Sequence, residues 1–575
     1  MPPRSFAPID RAPLRARVAG LCALVFAALP LIAHAAPPMP AAGERSAAPA
    51  VTAVAPARPE VPRPAAPDAS DIWAAFQKAG VKESEVALLA QPLAPGAPLL
   101  ISHNEKLGFT LASTTKVVTT LASLQTLPTS FRWRTRAWLT GAPVDGRLAG
   151  DLVLVGGGDA TLGSQRLIDW FKRLHKQGLT QVHGHIVLDQ SLFRLSEKDH
   201  VNTPTPQAGK PHHAWPDAFV VDEASFRVVL RQGADGRLTA SFDPPLAQVE
   251  VVDQLAGSGR CAAQARFEPV TPESPGKAAP AAPTPELASP VIPVAAALPA
   301  ASAPTEATAA PETETTAVPP VGRVVVSGHW SPRCVNAVTM EAAPGRALTA
   351  ALVAGAWTAS GGTLDKPVIH RETTAPTVRG ARRARTPTSP YPGKPWATLD
   401  SAPLPELVRA INKDSNNLMA RNLLLSIAPG FSPTTSTLQL AKQRLGLWFK
   451  KIGMTQDAPS IDNGSGLAHS EQGSVFAMVQ LLQGAWNDPK VQPVFLASLP
   501  VAGADGTLAG RFKGSPAQRN AFLKTGTLTG VRSLAGYVRA SSGRMIAVAI
   551  VVNSEHASAG VPAMDRFIEW VVRNG

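Results

Sequence analysis

The sequence predicts an α+β protein with more than one domain, and three observations lead to this prediction. Apolar residues recur at helical spacing near both ends of the 575-residue chain, short alternating segments with glycine turns fill the middle, and proline-rich stretches interrupt the pattern. The structured residues therefore divide into a first part at about 71–135, a β-rich middle at 136–395 and a last part at 396–575.

Residues 1–35 are predicted to form a cleavable export signal. Arginines precede an apolar run at 18–33, and Ala33-His34-Ala35 fits the small-x-small rule for cleavage. A retained membrane anchor is the alternative, which Pro30 and the shortness of the run disfavour. No later segment has the ~18 uninterrupted apolar residues that a membrane span needs, so we expect an exported mature protein without one.

Three proline-rich segments are predicted to be irregular. Residues 36–70 have the composition of a flexible tether, and residues 268–321 that of a disordered insertion, because neither can bury a core. The stretch at 374–398 carries a cluster of arginines without interleaved aromatic residues, which we interpret as a solvated loop. Although the net charge of +13 suits a cell wall, an anionic lipid surface or nucleic acid, the sequence gives no specific support for nucleic acid as a partner.

Cysteine usage agrees with export to an oxidising compartment. Cys22 leaves with the signal, so the mature chain retains Cys261 and Cys334. One disulfide between them is the simplest interpretation, and two buried free thiols are the alternative. In the chain-entropy model, closing such a loop stabilises the fold by on the order of 4 kcal/mol.

The pattern of apolar residues predicts the following elements along the chain. The first part has a helix at 72–79, a strand at 86–89 and a helix from 113 through 124. The middle has strands at 148–155, 183–187, 249–252 and 324–327. The last part has helices at 404–411 and 416–427, strands at 535–538 and 545–552, and a closing helix with an apolar stripe at 564, 567, 568 and 571. We interpret that stripe as a core face against the sheet, with a membrane-surface helix as the alternative.

Three short motifs carry the chemical information, and they occur in one order. They are Ser113-Thr-Thr-Lys116, Ser415-Asn-Asn417 and Lys524-Thr-Gly526. Each is weak alone, because residues 274–277 and 102–104 fit the first two patterns by chance. Together they supply two hydroxyls, two amines and an amide, which is the set that acyl transfer through a serine ester needs without histidine.

Each motif residue has a predicted role. Ser113 begins a helix and is the nucleophile, and Lys116 lies three residues on, on the same face, where it can act as the base if it is neutral. Nearby positive charge should lower the pKa of Lys116 toward that state. Ser415 would relay a proton to the leaving amine, and Asn417 would hold the substrate amide or Lys116.

Lys524, Thr525, Gly526 and Thr527 are the predicted substrate-binding residues. Lys524 and Thr525 would bind a substrate carboxylate, and the backbone N–H groups of Ser113 and Thr527 would form an oxyanion hole. The alternative makes Ser113 an ordinary helix N-cap and the Lys-Thr-Gly motif a turn. The ordered combination of motifs disfavours that alternative.

The chain resembles the D-alanyl-D-alanine carboxypeptidase/endopeptidases of the penicillin-binding protein 4 (DacB) type, peptidase family S13. Beyond the three motifs, the resemblance lies in segments 150–162, 463–467, 502–508, 524–528 and 534–538. The 302-residue separation of Ser113 from Ser415 is also typical of this family, which inserts extra domains there. The chain departs from the family pattern at Ala468-His469, where Ser-Arg is usual.

The resemblance implies a fold, an activity and partners. The fold would be a serine β-lactamase/transpeptidase-like domain, an antiparallel sheet flanked by helices, assembled from 71–135 and 396–575 around inserted β-rich domains. The enzyme would act in the periplasm on peptidoglycan stem peptides, release terminal D-Ala or cut the D,D cross-link, and be acylated by β-lactams. It would need no cofactor.

Two other functions and a metal site have weaker support in the sequence. A class A β-lactamase needs a Glu-x-x-x-Asn loop, and the glutamate available here, Glu471, is followed four residues later by Val475. An inactive cell-wall-binding protein is the second alternative, although all catalytic positions are filled. His183 and His185 lack the carboxylate or cysteine spacing of a ligand set, so no metal is predicted.

Overall fold

The structure, a computed structural model, describes residues 68–200, 214–232, 238–256, 261–270, 318–331, 334, 338–339, 345–371, 391, 393–430, 432 and 434–575. They belong to one compact unit, Ala65–Gly575. The helices are α1 (Ser70–Lys78), α2 (Thr115–Thr126), α3 (Ser164–Lys176), α4 (Arg346–Ala359), α5 (Leu404–Asp414), α6 (Asn417–Ser426), α7 (Thr437–Lys451), α8 (Val475–Asn487), α9 (Gln492–Ser498) and α10 (Val561–Asn574).

The strands follow the same chain order. They are β1 (Val86–Pro92), β2 (Ile101–His103), β3 (Phe109–Thr110), β4 (Arg134–Leu139), β5 (Arg147–Leu148), β6 (Leu152–Val155), β7 (Gln181–Val182), β8 (Ile186–Asp189), β9 (Arg227–Gln232), β10 (Leu238–Asp243), β11 (Val249–Ala256), β12 (Ala262–Pro269), β13 (Gly322–His329), β14 (Val338–Thr339), β15 (Thr363–Leu364), β16 (Ile369–His370), β17 (Ala397–Asp400), β18 (Gln472–Gly473), β19 (Ala521–Leu528), β20 (Val531–Arg539) and β21 (Met545–Asn553).

The sheet that carries the third motif joins both ends of the chain. Its strand order is β19-β20-β21-β1-β2, and every neighbouring pair is antiparallel. Strand β1 pairs with β21 along its whole length, with Ala87 opposite Val551. The third motif lies on β19, which forms an edge of this sheet, because β19 pairs with β20 alone among the sheet's strands.

The two faces of this sheet pack against different helices. Side chains alternate along β1, so that Ala87 and Leu89 join a core with α2, α5, α6, α7 and α8, whereas Val86 and Leu88 join a core with α1 and α10. The predicted antiparallel sheet flanked by helices is therefore confirmed. The stripe of α10, with Met564, Phe567, Ile568 and Val571 fully buried, is a core face as expected, not a membrane-facing one.

The middle of the chain has its own sheets and its own core. A mixed sheet has the order β16-β8-β6-β4-β17, and β11-β13-β12, β10-β9-β14 and β15-β7-β5 form smaller sheets among the described residues. Helices α3 and α4 pack into this core, and neither was predicted. In α3 the signal was present, since Leu167, Phe171 and Leu174 recur at helical spacing. Helix α4 is buried on nearly all sides, so its run of apolar residues carries no clear periodicity.

Two predicted strands of the middle part are broken in the structure. The segment at 148–155 divides into β5 and β6, and the segment at 183–187 becomes a strand only from Ile186. The cause is a contact between the two breaks. Gly184 donates its N–H to the Gly150 carbonyl, and His185 donates its N–H to the Asp151 carboxylate, so side-chain and loop bonds replace a regular ladder.

Cys261 and Cys334 are joined by a disulfide in the structure.

No helix among the described residues is long and apolar enough to span a membrane. The predicted signal at 1–35, nearly all of the tether at 36–70, the interior of the insertion at 268–321 and the arginine cluster at 379–385 lie outside the described residues.

Candidate active site

Ser113 lies on a 3-10 turn, Ala112–Thr114, that leads directly into α2. The Leu111 carbonyl holds the turn by accepting from Thr114 Oγ1 at 2.6 Å and from Ser533 Oγ on β20 at 2.7 Å. Ala112 has a φ of 47°, a left-handed conformation that costs free energy for a residue other than glycine. The surrounding bonds therefore fix a strained turn that leaves the serine half-buried at the start of the helix.

Lys116 is fully buried on the first turn of α2. Its Nζ lies 3.0 Å from Ser113 Oγ, donates to Asn417 Oδ1 at 2.5 Å, and also donates to the Ser465 carbonyl. The first two motifs, 301 residues apart at this contact, thus meet at one amino group. Asn417 binds Lys116, which is one of the two partners that the sequence predicted for it.

Ser415 lies between α5 and α6, with a φ of 57°. This left-handed residue ends α5, and Asn416 then caps α6 by accepting the N–H of Met419. The cap explains the motif's placement, because it directs the side chain of Asn417 from the first position of α6 toward Lys116.

Lys524 on β19 is fully buried and donates to Ser415 Oγ and to the Thr525 carbonyl, both at 2.8 Å. The second and third motifs therefore meet as directly as the first two. The Thr525 hydroxyl donates to Thr507 Oγ1 at 2.8 Å, a neighbour that was not anticipated from the sequence.

Gly526 brings the backbone of β19 beside Ser113. A Cβ at this position would lie 2.0 Å from Ser533 Oγ and 3.1 Å from the Ser113 nitrogen, so a side chain has no room. Leu523 donates its N–H to the Pro500 carbonyl, away from β20. Because N–H directions alternate along a strand, the N–H of Thr527 faces the same open side. The edge of β19 therefore lies beside Ser113, where the N–H groups of Ser113 and Thr527 could both donate to an oxyanion.

Burial within the site lowers the pKa of both lysines. Burial lowers the pKa of Lys116 well below its usual value, and the nearby positive charge of Lys524 lowers it further. Burial alone lowers the pKa of Lys524 to about 7. The sequence predicted the direction for Lys116 but named charge as the cause, whereas burial is the larger one.

A loop that sequence reasoning did not assign to the site completes it. Ser465 supplies the third partner of Lys116, and Gly466 follows with a φ of 83°. A Cβ on Gly466 would lie 2.0 Å from the Ala112 carbonyl oxygen, so the loop touches the 3-10 turn that holds Ser113. The motif at 463–467 was the available signal, although its role was not deduced. On sequence alone, Glu471 was considered only as a β-lactamase residue. Its carboxylate holds this loop by accepting the N–H groups of Gly464 and Gly466.

A second unpredicted contact comes from the middle part of the chain. Asn416 donates from Nδ2 to Glu223 Oε1 at 2.6 Å. Glu223 lies in the turn Asp222–Ala224, whose three residues all have φ near 50°. The Asp222 carboxylate anchors this turn by accepting the N–H of Ser164 at the start of α3. No sequence pattern identified this turn, because left-handed runs of non-glycine residues have no compositional signature.

Across the part of the chain that the structure describes, there is no group of three or more histidine, cysteine, aspartate or glutamate side chains that could hold a metal ion. His183 pairs with Asp365, and His185 contacts the Pro367 carbonyl through Nδ1. Both histidines therefore have protein partners in the structure.

Curated relatives match a limited stretch of the chain. D-alanyl-D-alanine carboxypeptidase DacB of Haemophilus influenzae is 29% identical over 170 residues, which is 29% of this chain and 35% of the relative. D-alanyl-D-alanine carboxypeptidase of an Actinomadura strain is 34% identical over 174 residues, 29% of this chain and 31% of the relative. The chain thus aligns with about a third of the length of these relatives.

The likeness in structure extends much further. The crystal structure of penicillin binding protein 4 (dacB) from Haemophilus influenzae matches with a TM-score of 0.61 at 20% identity, covering 88% of this chain and 99% of that one. The same protein in complex with a β-lactam matches with a TM-score of 0.58. At this identity the match establishes the shared fold.

The family model for the D-Ala-D-Ala carboxypeptidase 3 (S13) family matches residues 69–277 and 337–573. These two blocks cover well over half of the chain and include all three motifs. The gap between them contains most of the proline-rich insertion. On this match, together with the fold, the chain belongs to the D-Ala-D-Ala carboxypeptidase 3 (S13) family.

Proposed function

We propose that this chain is a serine-type D-Ala-D-Ala carboxypeptidase and D,D-endopeptidase that acts on peptidoglycan stem peptides through an acyl-serine intermediate. The observation that carries the proposal is the arrangement around Lys116, whose Nζ contacts Ser113 Oγ, Asn417 Oδ1 and the Ser465 carbonyl. β-Lactams would acylate the same serine. The family membership supports this activity and substrate class.

The partners of Lys116 would orient its neutral form as the base. A neutral amine has two N–H groups and one lone pair. The Asn417 Oδ1 and the Ser465 carbonyl only accept, so they take the two N–H groups and leave the lone pair directed at the Ser113 hydroxyl. Lys116 then removes the serine proton as Oγ attacks the carbonyl carbon of the substrate.

The remaining residues serve the later parts of the reaction. The N–H groups of Ser113 and Thr527 would hold the oxyanion of the tetrahedral intermediate. Lys524 and Thr525 would bind the terminal carboxylate of the substrate. Ser415, bonded to Lys524, would relay the proton that Lys116 removed from Ser113 to the departing D-Ala amine as the C–N bond breaks, which returns Lys116 to its neutral form. Water then hydrolyses the serine ester, with Lys116 again as the base.

The domain division and the compartment belong to the same proposal. The catalytic domain would comprise 71–135 and 396–575, and residues 136–395 would form the inserted domains. Strands β4 and β17, which lie at these two boundaries, pair with each other. Export to the periplasm would bring the enzyme to its substrate, and a basic surface would allow peripheral contact with anionic lipid or wall polymer.

The test is release of D-Ala from a pentapeptide and cleavage of cross-linked muropeptides by the purified wild-type protein and by Ser113→Ala. We expect both activities in the wild type and neither in the variant. Rapid turnover of penicillin with no peptide cleavage would instead indicate a β-lactamase. Binding to isolated cell wall with neither activity and no penicillin adduct would indicate an inactive binding protein.

A further inference from the structure

The side chain of Glu471 is fully buried beside the proposed active site, although the reaction outlined above gives it no part. Its carboxylate accepts four backbone N–H groups, and all four belong to the loop at 462–466. Oε1 accepts from Asp462 at 3.1 Å, Asn463 at 2.9 Å and Gly464 at 2.6 Å, and Oε2 accepts from Gly466 at 2.6 Å. A carboxylate that accepts so many N–H groups of one loop fixes that loop's conformation.

One peptide group of the loop links this carboxylate to the catalytic amine. The N–H of Gly466 donates to Glu471 Oε2, and the carbonyl of the same peptide group, on Ser465, accepts from Lys116 Nζ. A peptide whose N–H is bonded to a carboxylate is polarised, so its carbonyl becomes a stronger acceptor. The bond to Glu471 therefore both orients the Ser465 carbonyl and strengthens its hold on Lys116.

The same loop is tied to α2 at a second point. Thr119, one turn beyond Lys116, donates from Oγ1 to the Gly464 carbonyl at 2.7 Å, and the N–H of Gly464 donates to Glu471. On the other side, the backbone carbonyl of Glu471 accepts the N–H of Leu111 at 3.0 Å, next to the nucleophile turn. Glu471 thus bonds both to Leu111, which precedes the turn of Ser113, and to the peptide group that holds Lys116.

We propose that Glu471 is a positioning residue for acylation, which acts through the Ser465–Gly466 peptide group to hold the Lys116 amine against the Ser113 hydroxyl. The proposal rests on the proposed function, in which Lys116 is the base. Glu471 also supplies negative charge near two buried basic side chains, Lys116 and Arg421, and raises the pKa of each against the effect of burial.

Glu471→Gln tests the link specifically. The amide oxygen can still accept the three N–H groups now bound by Oε1, but the NH2 group would face the N–H of Gly466, donor against donor. The matched control is Glu250→Gln, which removes an exposed carboxylate paired with Arg323 between β11 and β13. The readout is the second-order rate of acylation by a fluorescent penicillin, measured from pH 5 to pH 9 with thermal unfolding of each variant.

We expect two changes in Glu471→Gln. The plateau rate falls about 10- to 100-fold, because a misplaced base is costly even when the displacement is near 1 Å. The acidic limb of the profile moves to lower pH, because the loss of negative charge favours neutral Lys116. Glu471→Asp, which keeps the charge, leaves the limb at its wild-type position and retains part of the rate. Glu250→Gln matches the wild type.

In a folded Glu471→Gln, a plateau rate that stays at the wild-type value would overturn the proposal, and so would an acidic limb that does not move. If that variant does not fold, the pH profile of Glu471→Asp is the test, and an acidic limb displaced from its wild-type position would contradict the proposal. If neither folds, a crystal structure of the wild type decides: a Ser465 carbonyl beyond about 3.2 Å from Lys116 Nζ removes the link. If penicillin labels Lys116→Met as fast as it labels the wild type, the result would instead refute the proposed function, in which Lys116 is the base.

Discussion

At the scale of single residues, the site depends on a lysine that is buried among acceptors. Lys116 has no exposed surface, and burial lowers its pKa well below the usual value for lysine. A charged ammonium in this position is costly, so burial shifts Lys116 toward the neutral form that a base needs. The same burial that makes the lysine difficult to charge suits it to the proposed role of base.

Replacing Lys116 by Met removes the proposed base and keeps most of the side-chain volume. We expect the acylation rate by penicillin to fall by about 10²- to 10⁴-fold, the range typical of a lost general base, with the fold retained. Stopped-flow labelling measures the rate. Lys172→Met, which changes an exposed lysine of α3, is the control. A loss smaller than tenfold in Lys116→Met would assign the base to another group.

Lys524 should make substrate binding depend on pH. Burial lowers its pKa to about 7, so the fraction that carries a positive charge falls as the pH rises through that value. Since the charged form attracts the terminal carboxylate, we expect KM for a D-Ala-D-Ala peptide to rise above about pH 7. The control is the same peptide with an amidated C-terminus, whose KM should not follow this titration. An equal rise for both peptides would contradict the assignment.

At the scale of elements, the site is assembled where a helix start, a helix junction, a strand and a loop converge. The loop at 463–467 approaches the nucleophile turn so closely that a Cβ on Gly466 would overlap the Ala112 carbonyl, and the φ of 83° at Gly466 also disfavours a side chain. The close approach is what brings the Ser465 carbonyl to Lys116.

Gly466→Ala should therefore displace the loop and reduce acylation by about 10-fold or more, with some loss of stability. Gly484→Ala is a matched control, because that glycine lies in α8 and a Cβ added there would have nothing within 4 Å. It should stabilise the helix by about 0.5–1 kcal/mol and leave the rate unchanged. Equal rates in the two variants would show that the loop has no part in acylation.

The closing helix α10 should contribute to stability without affecting the chemistry. Phe567 is fully buried between α10 and the sheet. We expect Phe567→Ala to lower the free energy of unfolding by about 3–5 kcal/mol in urea titrations, the usual cost of removing a buried ring. Arg566→Ala, at the exposed neighbouring position, should change it by less than about 0.5 kcal/mol. A similar small change at Phe567 would place the helix outside the core.

At the scale of the whole molecule, the sequence predicted the elements with a clear apolar pattern and the motifs that occur in order. It missed the features that depend on contacts between remote segments of the chain. Strands β1 and β21 are short apolar runs buried on both faces of the sheet, and the apolar stripe of α10 is periodic, so the sheet and its closing helix could be predicted. Helix α4 could not be recognised as easily, because a helix buried on all sides has no polar face.

In the site, too, the residues of the motifs could be predicted and the contacts between remote segments could not. Ser113, Lys116, Ser415, Asn417 and Lys524 belong to ordered motifs, and the structure brings them into contact as expected. The contacts of Ser465 with Lys116 and of Glu223 with Asn416 involve chain segments remote in sequence. Such contacts depend on loop conformations that composition and periodicity do not encode.

The central claim is that the whole chain folds to make Ser113 the acylated nucleophile. Its most direct test is mass spectrometry of the intact protein and of its proteolytic peptides after reaction with penicillin. The proposed mechanism predicts one penicilloyl group per molecule, carried by the peptide that contains Ser113, and no adduct in Ser113→Ala. An adduct on another residue, or an undiminished adduct in Ser113→Ala, would contradict it.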